Sequence, residues 1–557
     1  MPQSRFDIGQ TLQEALGLQQ QGRLREAEKL YARVLKAAPD NFDALHLLGL
    51  AKAQSGQMGE AQRLMAAALK INAQSPDAWS NFANVLHALK RDGEALDALE
   101  RALALRPGDA DALCHRGDAL LALGRAAEAV AQFDRVLAVH PRRSDALLSR
   151  GTARATLGRF AEALADFDAV LILAPNHAAA LYNRGNALLE LGRLEEALAA
   201  FERALAAAPG HAAAWNNRGR ALQGLNRHAE AVASFDKALA IDKSYADAHS
   251  NRALSLLTLG ELARGFAEYE WRWKRAGMTD LRRNYRGALW LGEYPLARKR
   301  ILLHAEQGLG DTIQFARYLP LVARMGATVV LEVQPELKPL FEGMAGAAFV
   351  LARGEPLPAY DLHCPLGSLP LALKTAPATI PADVPYLHVD EARIAAWRPR
   401  IEALPGKRVA LVWAGHSRHV NDRNRSLALS LLEPLLAVPG VSFVSLQRDL
   451  REGDAARLAA HRNVTHVGEA LSDMAETAAA LTLCDLTIAV DTSVAHLAGA
   501  LARPAWVMLP FSPDWRWTRA GERSPWYPQM RLLRQSAPGD WPGVVAQAAR
   551  ALAEFAR

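Results

Sequence analysis

Asp311 follows two glycines in the run Gly308-Leu309-Gly310-Asp311, just after the apolar stretch Ile301-Leu302-Leu303. A strand ending this way puts Gly308 and Gly310 into a sharp turn and Asp311 at or near the start of the next helix. The glycines let a backbone approach a ligand closely, and the carboxylate is a candidate proton acceptor. Capping alone would also explain an aspartate there. A second run, 486–510, has an apolar strand ending in Asp491, then Thr492 and Ser493 opening a helix of small residues. Free backbone N–H groups at such a helix start suit a diphosphate. His496 falls one turn into that helix, near the same face as Thr492. Asp491 and Thr492 are also good capping types. In a third run, 412–429, a strand enters a polar loop holding His416, Arg418, His419, Asn421, Asp422, Arg423, Asn424 and Arg425. That density of charge suits phosphate or sugar hydroxyls better than it suits a solvated loop.

The elements that must position these residues alternate. From 300 onward, short apolar strands alternate with helical stretches, an order that implies a parallel sheet. Strands are expected at 300–307, 327–333 and 348–352, then at 408–415, 441–447, 464–468, 486–491 and 504–510. Prolines crowd 356–385, and 391–404 reads as a connecting helix. Helices are expected at 311–326, with Pro320 as a potential kink, and at 335–344, 426–437, 472–483, 492–502 and 541–555. Arg534 and Gln535 would end a further strand. Two such halves joined by a helix predict two Rossmann-like lobes with a cleft between them. Trp515, Trp517 and Trp526 could stack on a base or sugar, but we read them as closing a loop onto the core, with Arg516 unassigned.

Upstream the chain is periodic. Pro107, Pro141, Pro175 and Pro209 are spaced by 34 residues, and Pro39 lies two periods before Pro107. Gly117, Gly151, Gly185 and Gly219 share one slot, and Phe133, Phe167, Phe201 and Phe235 another. Small slots let two helices approach, the large slot fills the groove, and proline stops the second helix. This pattern resembles the tetratricopeptide repeat over about residues 8–279, in roughly eight units. Such arrays form superhelices whose grooves hold peptides or proteins. One first-helix slot carries Asn81, Asn183, Asn217 and Asn251. Asparagine amides can bond a peptide backbone in either direction, although asparagine is also ordinary in this slot. The expected organisation is thus the array at 8–279, a linker at 280–299 docking through Trp290, a first lobe at 300–405 and a second at 406–557.

Composition narrows the classes. The chain has 557 residues, half of them apolar and 22% charged, as in globular proteins. A net charge of +6 with no long basic run argues against nucleic acid. The three cysteines, Cys114, Cys364 and Cys484, have no metal or disulfide spacing. No leader-like N-terminus and no apolar run of spanning length is evident, so a cytoplasmic location is expected.

The three polar runs together resemble glycosyltransferase family 9, the heptosyltransferase family, over roughly 300–540. The run "VDTSVAHLAGALARP" matches that family's second-lobe motif, with Ser493 replacing a usual glycine. The run "GDTIQFARYLP" is similar to its first-lobe turn, with Pro320 later than usual. The resemblance implies a GT-B fold and a nucleotide-sugar donor. It implies Asp311 as general base and Asp491 on sugar hydroxyls. Thr492, Ser493 and the helix dipole would hold the donor phosphates, and Arg423 or Arg425 would neutralise the leaving diphosphate. Gln447, Asp473 and Met474 would line the nucleotide side. Over 300–557 no DxD motif is evident, so neither metal nor cofactor is expected. The full layout, with "YEWRW", "AEQGLGDTIQFARY" and "SPWYPQMRLLRQ…GDW", resembles bacterial tetratricopeptide glycosyltransferase-like proteins. It is also similar to O-GlcNAc transferase, whose repeats hold a polypeptide acceptor. Expected partners are therefore a polypeptide or protein in the repeat groove and a nucleotide sugar. Repeat arrays often self-associate, so the sequence also allows a homo-oligomer. Two alternatives stand beside this reading: an inactive interaction scaffold, and a transferase acting on saccharide.

Overall fold

The computed structural model describes residues 7–278, 285–418 and 421–557, and the chain divides into two compact units, Met1–Pro209 and Gly210–Arg557. The first unit is all helix. Its helices run from Ile8–Gln20 to Leu194–Ala207, each of 13 or 14 residues and paired through short turns. The slot pattern explains the pairing. A Cβ placed on Gly151 would meet the Phe167 ring at 2.6 Å, and one on Gly185 would meet Phe201 at 2.6 Å. The ring of the second helix thus occupies the space the glycine leaves on the first, and both phenylalanines are buried. The turn inside each pair needs a left-handed residue. Gly22, Gly56, Gly124, Gly158 and Gly192 supply it, whereas Lys90 stands in the same slot at φ +62°.

The second unit begins with four more helices of the same kind, Ala212–Gly224, His228–Ile241, Ala246–Thr258 and Leu262–Tyr269, followed by a 3-10 turn at Glu270–Lys274. Two parallel sheets follow. In the first, β1 (Ala288–Leu289), β2 (Arg300–His304), β3 (Thr328–Val333), β4 (Phe349–Ala352) and β5 (Leu362–Pro365) lie in the order β1-β5-β2-β3-β4. In the second, β6 (Lys407–Val412), β7 (Val441–Ser445), β8 (Val464–His466), β9 (Leu486–Val490), β10 (Ala505–Leu509) and β11 (Met530–Arg534) lie in the order β11-β10-β9-β6-β7-β8. This is an α/β region with crossover topology. The sequence did not reveal β1 or β5. β1 has only two residues and falls within the expected linker, and β5 lies inside the proline-crowded stretch 356–385. The described part of that linker adds β1 to the sheet edge, and Trp290 is fully buried beside it.

Several helices are shorter than their patterns suggest. The expected helix at 311–326 breaks into Leu309–Ala316 and Leu319–Arg324, with Pro320 in the first turn of the second piece. The 426–437 stretch is a 3-10 turn plus Glu433–Leu436. One apolar core gathers Leu257, Leu262 and Phe266 from the last repeat helices with Trp290, Phe315, Trp515, Trp517 and Trp526. The three downstream tryptophans are therefore core, as read from the sequence. Phe266 meets Trp515 edge-on with centroids 5.6 Å apart.

Candidate active site

Two short helices meet, each following one strand of a different parallel sheet. Leu309–Ala316 follows β2, and Ser493–Ala500 follows β9. A Cβ on Gly310 would lie 2.8 Å from His496 Cδ2 and 3.4 Å from Ser493 Cα. The close approach that Gly310 permits is therefore to the other helix. His496 is buried in that contact, stacks on Trp517 at 5.0 Å between centroids, and shares a hydrogen bond with the Tyr527 hydroxyl at 3.1 Å. Burial, reinforced by Arg516, Arg317 and Arg425, holds its pKa well below the usual histidine value, so the ring is neutral. Expected as a donor contact, His496 serves to seat one helix on the other.

Asp311 sits where the strand-to-helix reading put it, in the first turn of its helix. Its Oδ2 accepts from the Gly308 N–H at 3.0 Å, and its other oxygen pairs with the Arg516 guanidinium. Arg516 also reaches Asp514 Oδ1 at 2.9 Å and lies over the Trp515 ring at 4.4 Å. Burial alone would lower the Arg516 pKa, but Asp514, Asp311 and Tyr269 reverse this and raise it. The residue is a fixed cation between two carboxylates. Its 205-residue separation from Asp311 gave sequence reasoning no signal.

Asp491 ends β9. Its residue surface is only partly covered, yet its carboxyl is closely surrounded: burial and the neighbouring Asp514 push its pKa up to about 6, against the pull of Trp517, Arg425 and Arg516. Thr492 stands at the N-cap of the 493–500 helix without capping it by its side chain; its Oγ1 donates to the Val490 carbonyl at 3.3 Å. Ser493 opens the helix and is half-buried. Arg425 comes from the polar loop, and its Nη1 donates to the Asp491 carbonyl at 3.1 Å. Its guanidinium lies so close to Gly415 that a Cβ there would sit 2.5 Å from Nη2. Ser426 and buried Asp422 brace the loop: Ser426 Oγ accepts from the Gly415 N–H at 2.9 Å and donates to Asp422 Oδ1 at 2.6 Å. The structure thus gathers Asp311, Asp491, Thr492, Ser493, His496, Arg425 and Arg516, with Gly308 and Gly310 shaping the turn.

Other expected contacts lie elsewhere or do other work. His416 and Arg423 are exposed, and Asn421 bonds Asn424 at 2.8 Å. His419 lies outside the described residues. The Gln447 amide is spent on backbone: Oε1 accepts from the Trp413 and Ala414 N–H groups at 3.2 and 3.1 Å, and Nε2 donates to the Ala414 and Asp449 carbonyls. Asp473 caps the Met474–Thr482 helix through the N–H groups of Ala475 and Glu476, and pairs with Arg393 at 3.3 Å. Met474 is core. A second residue that sequence reasoning missed is Arg317, buried and donating to the carbonyls of Trp526 at 2.7 Å and Pro381 at 3.1 Å.

The asparagine slot is engaged within the protein. In the first unit, Asn81 pairs with His46 at 3.1 Å and Asn183 with Thr152 at 3.4 Å. In the second, Asn216 donates to Asn217 and Asn251 donates to Asn216, both at 3.0 Å. A polar pocket of about 340 Å³ beside Asn81 is lined by Asp77, Ser80, Arg106, Asp109, Asp111 and His115. No cluster of three or more ligating side chains suited to a metal, and no helix long and apolar enough to cross a membrane, occurs among the described residues.

Comparisons with known proteins address the repeats. Residues 114–178, 148–212, 182–246 and 216–280 match the tetratricopeptide repeat family, and residues 20–102 match anaphase-promoting complex, cyclosome, subunit 3. Protein FlbA of Caulobacter vibrioides is 30% identical over 321 residues, 53% of this chain and 53% of FlbA. The chain thus spans about half the length of that relative. Among solved structures, a tetratricopeptide repeat protein from Parabacteroides merdae is 20% identical, with a TM-score of 0.38 over 45% of this chain and 98% of its own. YrrB, described as a tetratricopeptide protein with an unusual peptide-binding site, is 27% identical, with a TM-score of 0.29 over 33% of this chain and 95% of its own. The chain carries tetratricopeptide repeats over its first 280 or so residues, a scaffold suited to protein interaction, followed by an α/β region.

Proposed function

We propose that this protein is a metal-independent glycosyltransferase of GT-B type, moving a sugar from a nucleotide-activated donor to a polypeptide held by its repeats. The observation that carries this reading is the meeting of Asp311, Asp491, Arg425 and Arg516 where the helices after β2 and β9 touch. Ligands of open parallel sheets bind at the carboxyl ends of strands, and the resemblance to the heptosyltransferase family falls on Asp311, Asp491 and Arg425 among these residues.

On this reading the donor diphosphate lies at the start of the 493–500 helix, beside Arg425. The acceptor hydroxyl attacks the sugar C1. The bond from C1 to the diphosphate oxygen breaks, a bond from C1 to the acceptor oxygen forms, and Asp311 takes the hydroxyl proton. The leaving diphosphate departs as an anion, its charge met by Arg425 and the helix N–H groups. Arg516 and the Gly308 N–H hold the Asp311 carboxylate in place at the start of its helix.

The test is nucleotide release from a panel of nucleotide sugars by the parent and by Asp311→Asn. The proposal expects one donor to be turned over by the parent and about 100-fold more slowly by the variant, with donor binding kept. Equal release from both proteins would remove Asp311 from the reaction. No release and no donor binding would leave the second reading, an interaction scaffold, which the repeat matches favour.

A further inference from the structure

Glu306 and Gln307 flank the turn that carries Asp311, and both are held by the segment that closes the repeats. Arg272, from the 3-10 turn Glu270–Lys274, is buried. Its Nη2 donates to Glu306 Oε1 at 3.1 Å and to Ser368 Oγ at 2.7 Å, and its Nη1 donates to Glu270 Oε1 at 2.7 Å. The Ser368 hydroxyl in turn donates to Glu270 Oε1 at 2.7 Å. The Gly367 N–H donates to Glu306 Oε1 at 3.1 Å, and a Cβ on Gly367 would sit 2.5 Å from that oxygen. The guanidinium also lies 4.8 Å from the ring centroids of both Tyr269 and Trp273. A second chain of bonds runs alongside. The Tyr269 hydroxyl and the Gln307 amide exchange bonds of 3.0 and 2.7 Å. Gln334 Nε2 donates to the Gln307 carbonyl at 2.7 Å, and the Thr312 hydroxyl donates to Gln334 Oε1 at 3.0 Å.

This geometry bears on Asp311 because of what lies between. From Glu306 to Asp311 the chain reads Glu-Gln-Gly-Leu-Gly-Asp. Two glycines leave the backbone loose, so its path must be set by its flanks. Glu306 and Gln307 fix one flank, and Thr312 fixes the other. A buried arginine with several charged and polar partners is rigid, and removing it strands the carboxylates it serves.

We infer that Arg272 and Tyr269 are positioning residues: the segment ending the repeats fixes the turn that presents Asp311. This rests on the reading of Asp311 as the base. A binding role for the repeats and the placement of the base would then share one stretch of chain.

The test uses the full chain with Tyr269→Phe, which removes only the hydroxyl, and with Arg272→Met and Arg272→Lys. Two readouts are needed: amide hydrogen exchange at 307–312, and kcat and KM for the donor. The expected result in Tyr269→Phe and Arg272→Met is faster exchange at 307–312 with β2 and β3 still protected, and kcat down about 10- to 100-fold with donor KM within about twofold. Arg272→Lys should recover part of the loss. Should Arg272→Met fail to fold, Tyr269→Phe decides. Unchanged exchange at 307–312 in folded variants would overturn the inference, as would a loss confined to KM. If the parent turns over no donor, the glycosyltransferase reading fails, while the exchange data still judge the strut.

Discussion

The helical unit, Met1–Pro209, and the α/β region of the second unit solve the same problem in opposite ways. In the first, large side chains are buried against glycines at fixed spacing, and many charges stay outside. Arg91 with Glu94, Arg125 with Glu128, and Arg159 with Glu162 are exposed pairs repeated in one slot. In the second, Arg317 and Arg516 are buried among carbonyls, carboxylates and aromatic rings, and Arg272 reaches in, also buried, from the segment that closes the repeats. Exposed pairs contribute little to stability, whereas a buried cation that loses its partner costs several kcal/mol. The repeats are built for regular packing. The α/β region tolerates costly buried charge where two helix starts meet, as functional sites do.

The comparison can be broken at its strongest point first. Phe167→Ala should cost the repeat region about 3–5 kcal/mol, since the ring fills the space above Gly151. Hydrogen exchange across 144–173 would read the loss locally, which matters in a chain of two units. Unchanged protection there would mean that the glycine slot does not carry the packing.

Glu306→Gln sharpens the other side. Burial pushes the Glu306 pKa up to about 7, against the pull of Arg272. The folded state therefore keeps a proton that the unfolded chain releases near its ordinary value of 4.5. Stability should fall as pH rises from about 4.5 to about 7, by up to about 3 kcal/mol, then level off. The glutamine variant should lose most of that decline, leaving the part below about pH 6 that Asp491 contributes in the same direction. Melting curves from pH 4 to 8 on both proteins measure this, and matching slopes would show that Glu306 titrates normally.

The smallest effect is a gain. Lys90 holds a left-handed turn where neighbouring repeats place glycine, so Lys90→Gly should stabilise by about 1 kcal/mol. Exchange at 76–105 would report it, and a loss of protection would show that the Lys90 side chain contributes more than its backbone costs.

The same contrast explains what was legible in the sequence. A 34-residue period repeats one local contact many times, so the glycine and phenylalanine slots could be read from spacing alone. Strands β6 to β10 were apolar runs bounded by turns, and their order followed from alternation with helices. Strand β1 has only two residues, and β5 is set among prolines that mask its apolar pattern. At the site, Asp311, Asp491, Thr492 and Ser493 were visible because strand ends and helix starts are local signals. Arg516 and Arg317 were not, since what defines them is contact with residues far along the chain. Gln447 and Met474 show the converse: each has a type suited to a ligand, and the fold turns one onto backbone and the other into the core.

The measurement that most directly tests the central claim is nucleoside diphosphate binding by titration calorimetry, on the parent, Arg425→Gln and Asn81→Ala. The site at β9 and the 493–500 helix predicts that one nucleoside diphosphate binds the parent, binds Arg425→Gln at least about tenfold more weakly, and binds Asn81→Ala as it binds the parent. Melting curves establish that the variants are folded. Equal affinity in the parent and in folded Arg425→Gln, or no binding of any nucleoside diphosphate to the parent, would contradict the claim that these helix starts form a donor site.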